Sequence, residues 1–172
     1  MSAKEQELRG WFAGRIPDGW FTGAPDVEID RDEILVIGPL SEPALPDGAD
    51  PDTTTAALAA RITGFREDTR EHRMRIADEA QGRFGRTVSW GASCGDTQLL
   101  FTTLSVPAMT RLRMPQRKVL DTLVEAGVAR SRSHALAWCV GLVAQRQEEW
   151  LADLREALTQ VQKVRSTGPT AT

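Results

Sequence analysis

In the stretch MTRLRMP, residues 109–115, Met109, Arg111 and Arg113 alternate with Thr110, Leu112 and Met114. An extended strand turns successive side chains to opposite faces, so both guanidinium groups would point the same way. Arginine suits phosphate and guanine contacts, which raises the question of whether this stretch reads nucleic acid. Further along, Arg130, Ser131, Arg132 and Ser133 place two cations and two hydroxyls ahead of the run that starts at His134. A helix beginning there could take a serine hydroxyl as its N-cap. Residues 109–134 hold 6 basic and 2 acidic side chains, a local charge of +4. The plainer alternative is a helical hairpin that only dimerises the chain and leaves its basic side chains solvated.

Other chemistry finds less support. His72, His134, Cys94 and Cys139 are the soft metal ligands, and none stands at a CxxC or HxxxH spacing. No metal and no cofactor is expected. There is no G-x-S-x-G elbow, no G-x-x-x-x-G-K-[ST] and no G-x-G-x-x-G. Cys94, between turn residues in ASCGD, would be exposed and reactive if that loop protrudes; it is the lone pointer to catalysis. No enzyme is expected.

The elements that must position the arginines follow from the surrounding text. Pro115 would end the strand and pre-set the first helical turn. Val119, Leu120, Leu123 and Val124 have helical spacing. Gly127 offers the left-handed exit from such a helix, and Ser131 or Ser133 can cap the next one. From His134 to about Val164 the sequence reads as one long helix, in which Trp150 (or Leu151), Leu154, Leu158 and Val161 continue a stripe compatible with a short coiled coil. A second register is open: Pro107 could start the first helix instead. Arg111 and Arg113 would then be helical, with Thr103 and Ser105 as the outward strand residues.

This order of strand, proline, helix, glycine, serine cap and helix resembles the ribbon-helix-helix family of DNA-binding proteins, over about residues 109–146. Arg111, Arg113, Pro115, Leu120, Leu123, Gly127, Ser131, Ser133, Ala135 and Leu136 carry the resemblance. It implies that two chains pair their strands into an antiparallel ribbon that enters the major groove. Met109, Arg111 and Arg113 would face the bases. Arg130, Ser131, Arg132 and Ser133 would hold a backbone phosphate.

The N-terminal part reads as an α+β arrangement. Residues 4–13 suggest a short helix. Trp11, Phe12, Trp20 and Phe21 concentrate aromatic surface that suits a small core better than base stacking, since Arg15 alone is interleaved with them. VEIDRDEILVIG suggests a β-hairpin turning at DRD. Residues 39–53, rich in Pro, Asp and Gly, suggest an acidic loop. Residues 54–84 suggest one long helix with a stripe at Leu58, Ile62, Phe65, Thr69, Arg73, Ile76 and Ala80, polar in its middle. Its arginines, Arg66, Arg70, Arg73 and Arg75, are interleaved with acids and suggest a solvated, self-paired face. A second hairpin should turn at GASCGD. The expected fold class is α+β: an N-terminal helix and β-hairpins packed on a long helix, then a C-terminal strand-helix-helix with an extended terminal helix. The expected division is an accessory domain over residues 1–106 and a dimerising, DNA-binding region over 107–172.

The 172 residues carry a net charge of -3, which divides unevenly. Residues 1–53 hold 4 basic against 12 acidic side chains, and residues 54–172 hold 17 against 12. An acidic segment beside a basic one can screen a polyanion site or meet a protein partner. No apolar run has the length of a membrane span, and the polar start MSAKEQELRG is unlike a secretory signal. Two cysteines give no disulfide framework, and reduced thiols in a cytoplasm are expected. The functional expectation is a cytoplasmic homodimer that binds double-stranded DNA as a transcriptional regulator, through a β-ribbon. The alternative is a non-enzymatic interaction or adaptor protein that dimerises through its C-terminal helices, with a protein partner on its acidic N-terminal part.

Overall fold

A computed structural model describes residues 3–46 and 48–167. The chain divides into two compact units, Met1–Pro107 and Ala108–Thr172. The architecture is α+β, with helices and one four-stranded sheet.

In the first unit, α1 (Ala3–Arg15) precedes the antiparallel pair β1 (Asp26–Ile29) and β2 (Glu33–Pro39). The turn forms where DRD suggests it: Asp30 Oδ1 accepts from the Asp32 and Glu33 amides at 2.8 and 2.6 Å. Two helices, α2 (Pro51–Asp68) and α3 (Arg70–Phe84), cross over to β3 (Thr87–Cys94), which lies parallel to β2 and antiparallel to β4 (Thr97–Leu100). The sheet order is β1-β2-β3-β4, so the two hairpins are joined into one mixed sheet. In register, Ile34 pairs with Val88 and Val36 with Trp90. Period-two alternation puts these on one face, where they pack with Leu8 and Phe12 of α1, Leu58 and Ile62 of α2, and Ile76 and Ala80 of α3. Trp11, Trp20 and Phe21 pack against the same core. The acidic first 53 residues supply α1 and half of the sheet.

Several sequence expectations are corrected. The acidic loop ends earlier than residue 53, because Asp50 caps α2 and Pro51 opens it; the Asp50 carboxylate accepts from the Thr53 amide at 2.9 Å. The helix expected over residues 54–84 breaks at Thr69. The Thr69 hydroxyl donates to the Phe65 carbonyl at 2.6 Å, a back-bond that bends helices. Arg73 Nη2 then takes the Arg66 carbonyl at 2.7 Å. The break falls in the polar middle of the apolar stripe. Arg73 is not on a solvated face: it is buried, its Nε on the Thr69 hydroxyl and its guanidinium 4.6 Å over the Phe101 ring. Burial, then the neighbouring Arg66 and Arg70, push its pKa down to about 10. The second hairpin turns at Gly95 and Asp96, because GASC belongs to β3 and pairs across to β4.

In the second unit, α4 (Met114–Glu125) and α5 (Arg132–Arg146) enclose a small core of Leu120, Ala129 and Ala135, with Leu112, Leu123, Val124, Leu136 and Cys139 half-buried around it. The C-terminal helix is not continuous: α5 ends at Arg146, Gln147 caps it, and α6 (Glu148–Thr167) follows. No proline or glycine accounts for that break.

Candidate nucleic-acid interface

Pro115 lies in the first turn of α4, and Pro107 lies in residues 102–113, which have neither helical nor ladder structure. The register left open by the sequence is thereby decided: Arg111 and Arg113 are not helical. The expected strand over Met109–Met114 is not formed: among the described residues no segment supplies a ladder to it, and Met114 is already the first residue of α4. The segment nonetheless alternates. Leu112 turns into the small core, while Arg111 and Arg113 face solvent. Met109 is 98% exposed.

The junction with α4 is held by local bonds. The Arg113 amide donates to Gln116 Oε1 at 2.8 Å, and Arg117 Nη1 donates to the Leu112 carbonyl at 2.7 Å. Arg117 was not singled out by sequence. Its spacing, five residues after Leu112 and one helical turn past the cap, is the signal for a side chain that reaches back over the helix start.

The exit from α4 needs Gly127, whose φ of 74° lies in the left-handed region. The Val128 amide donates to the Leu123 carbonyl and the Gly127 amide to the Val124 carbonyl, both at 3.0 Å. This is the Schellman pattern. It turns the chain so that Ala129 enters the core and Ser131 reaches the start of α5. The Ser131 hydroxyl accepts from the His134 amide at 3.2 Å, and His134 Nδ1 accepts from the Arg130 amide at 3.3 Å. Ser133 and Arg130 are exposed.

Arg132 has a partner that the sequence reading missed. Its Nε and Nη2 form a fork on the two Asp121 oxygens at 2.6 and 2.8 Å, tying α5 to α4. The guanidinium holds the Asp121 carboxyl below its ordinary pKa, chiefly by hydrogen bonding. The Arg132 side chain keeps 59% exposure, so the fork faces water. A groove of about 370 Å³ brings Met109, Arg132 and Ser133 together with Arg117 and Leu136.

The unit leaves much apolar surface uncovered. Met114, Val119, Val128, Trp138, Val140 and Val143 are exposed on or beside α4 and α5. On α6, Trp150, Leu154, Leu158 and Val161 are exposed, while Leu151 is half-buried.

The Cys94 loop does not supply a nucleophile of the expected kind. Cys94 is a buried residue of β3, its thiol donating to the Ser41 carbonyl at 3.6 Å. Burial, with Glu42 adding to it, pushes the thiol pKa up, opposite to activation. Cys139 is half-buried on α5. His72 packs edge-on against Trp20 at 5.2 Å. Among the described residues, no three His, Cys, Asp or Glu side chains gather as a metal cluster, and no helix is long and apolar enough to cross a membrane.

Comparison with known proteins matches residues 6–100 to the N-terminal domain of Rv1265-like protein and residues 113–165 to the Mb1296 C-terminal domain. The chain is 56% identical over 160 residues to the uncharacterized protein Rv1265 of Mycobacterium tuberculosis, covering 92% of this chain and 69% of that relative. The uncharacterized protein Mb1296 of Mycobacterium bovis matches with the same identity and coverage. No solved structure matches the chain.

Proposed function

The chain belongs to the Rv1265-like family, and on the geometry of its C-terminal unit we propose that it is a cytoplasmic, homodimeric DNA-binding protein that acts as a transcriptional regulator. The observation that carries this reading is the segment before α4. It is neither helical nor in a ladder, it alternates Arg111 and Arg113 outward with Leu112 inward, and it has no ladder partner among the described residues. The same segment of a second copy, running antiparallel, is the simplest source of that partner. The small core of Leu120, Ala129 and Ala135 and the exposed apolar residues on α4 and α5 support a second copy as well. In the dimer Met109, Arg111 and Arg113 would enter the major groove, with Arg130, Ser131 and Ser133 at the start of α5 against a phosphate. Arg132 joins them only by exchanging its Asp121 fork for the phosphate.

The test is titration of the full chain against duplex DNA at several salt concentrations, beside sedimentation to establish the dimer. Affinity should fall with salt, with a log–log slope of about -0.9 for each phosphate neutralised. Arg111→Ala with Arg113→Ala should remove most of any sequence preference and leave the dimer intact. Absent or salt-independent binding would overturn the proposal.

The exposed stripe on α6 favours a second reading, an interaction protein that dimerises through these helices alone. On that reading Leu154→Lys with Leu158→Lys breaks the dimer. On the ribbon reading the strands and α4–α5 still hold it.

A further inference from the structure

In the first unit a cleft of about 420 Å³ opens between α2 and the loops that follow α1 and β2. One wall is aromatic. Phe65 meets Trp20 edge-on at 5.6 Å and Phe21 at 5.5 Å. The floor is α2, which presents Arg61, Gly64, Phe65 and Asp68 along one face. That spacing of three, four and seven residues is the repeat of a helix face.

Gly64 is the unusual residue. Glycine weakens a helix interior relative to alanine. Here no positive φ requires it, and a Cβ built on it would meet no atom within 4 Å. No packing reason explains it. What its missing side chain provides is room in the cleft.

The two ends of the cleft carry opposite charges. At one end Arg61 is fixed by two bonds to Ser41, Nε to the carbonyl at 3.1 Å and Nη2 to the hydroxyl at 2.9 Å. These bonds leave Nη1 for a ligand. At the other end stands Asp68, whose carboxylate has no hydrogen bond or ion pair among the described residues. Seven residues at 1.5 Å each separate the two Cα atoms by about 10 Å along the helix. The hydroxyls of Thr22 and Thr69 also line the cleft but already donate to the Pro39 and Phe65 carbonyls.

We propose that this cleft binds a flat aromatic monocarboxylic acid with a hydrogen-bond donor at its far end. The acid sits on Arg61, the ring lies over Gly64 against Trp20, Phe21 and Phe65, and the donor reaches Asp68. One cation opposite one anion suits a single negative charge: Asp68 opposes a second. The aromatic wall supplies contact area, and the two ends fix orientation, the usual division in a small-molecule site.

The test is calorimetric titration of the full chain with 3-(4-hydroxyphenyl)propionate. Its neutral amide and 3-phenylpropionate serve as controls. Saturable binding of the hydroxy acid is expected, with each control about tenfold weaker, the loss of one charge-assisted hydrogen bond. Gly64→Met should abolish binding while the melting temperature holds or rises, since it fills the cleft and improves the helix. Arg61→Gln should make acid and amide equivalent, and it carries the test if Gly64→Met fails to fold. No saturable heat up to about 10 mM acid, equal binding of acid and amide by the unaltered chain, or full binding by a folded Gly64→Met overturns the proposal. None of these readouts involves DNA, so this site and the DNA-binding reading stand or fall separately.

Discussion

Arg73 tests whether this fold depends on a buried charge or on the shape that the charged side chain fills. It is 5% exposed and has no carboxylate partner among the described residues. Two hydrogen bonds, to the Thr69 hydroxyl and the Arg66 carbonyl, contribute about 1.5–3 kcal/mol each as charge-assisted bonds. The contact over Phe101 adds about 0.5–2 kcal/mol. Against these stands the desolvation of a buried cation, several kcal/mol. The opposing sums are similar, so Arg73→Met, which keeps most of the volume, should lie within about 2 kcal/mol of the unaltered protein. Arg73→Ala also removes the buried side-chain volume, and should fall below Arg73→Met by about 2–5 kcal/mol, as for Met→Ala in a core. Urea denaturation followed by near-ultraviolet circular dichroism, which reports on the Trp11, Phe12, Trp20 and Trp90 cluster, measures both. If Arg73→Met proves as unstable as Arg73→Ala, the hydrogen bonds outweigh the desolvation and the reasoning is refuted.

Asp121→Asn releases Arg132 from its fork, so the slope of log affinity for DNA against log salt should steepen by about 0.9, one further phosphate contact; an unchanged slope removes Arg132 from the interface. Asp50→Asn should destabilise the protein at neutral pH but progressively less below about pH 4. The Thr53 hydroxyl and amide hold the folded Asp50 pKa below its ordinary value, so that stabilisation is complete above the unfolded pKa and is lost as pH falls through the folded one; melting temperatures across pH 2–7 check the convergence. Cys94 should resist a thiol reagent until the protein unfolds, whereas Cys139 should react in the native state, as peptide mapping of the labelled chain would show.

What was legible in the sequence was mostly local. The Asp-Arg-Asp turn, the proline that opens α4, the glycine that closes it and the serine that caps α5 each depend on a few consecutive residues. Their backbone preferences act regardless of what lies across the fold. The alternation of Arg111, Leu112 and Arg113 belongs to the same class, although two prolines competed to set its register. Helix content was legible as well, but helix continuity was not. The Thr69 break depends on a hydroxyl back-bond and on Arg73 reaching the last turn of α2, and no periodicity count contains either.

Pairings between distant residues were decided by the tertiary structure alone. Asp121 and Arg132 stand on different helices, and only the Schellman turn at Gly127 brings them within 2.6 Å. Cys94 looked like a loop thiol because glycines flank it, yet cross-strand pairing carries it into β3 and under the helices. Gly64 acquires meaning only beside the loops carrying Trp20 and Ser41. The sequence by itself determined where the chain turns, caps and alternates, because those choices are made by each residue's own backbone and nearest neighbours. Only the folded chain determined which charges are paired, which thiol is buried and where a cleft opens, because those depend on segments brought together by burial of a common apolar face.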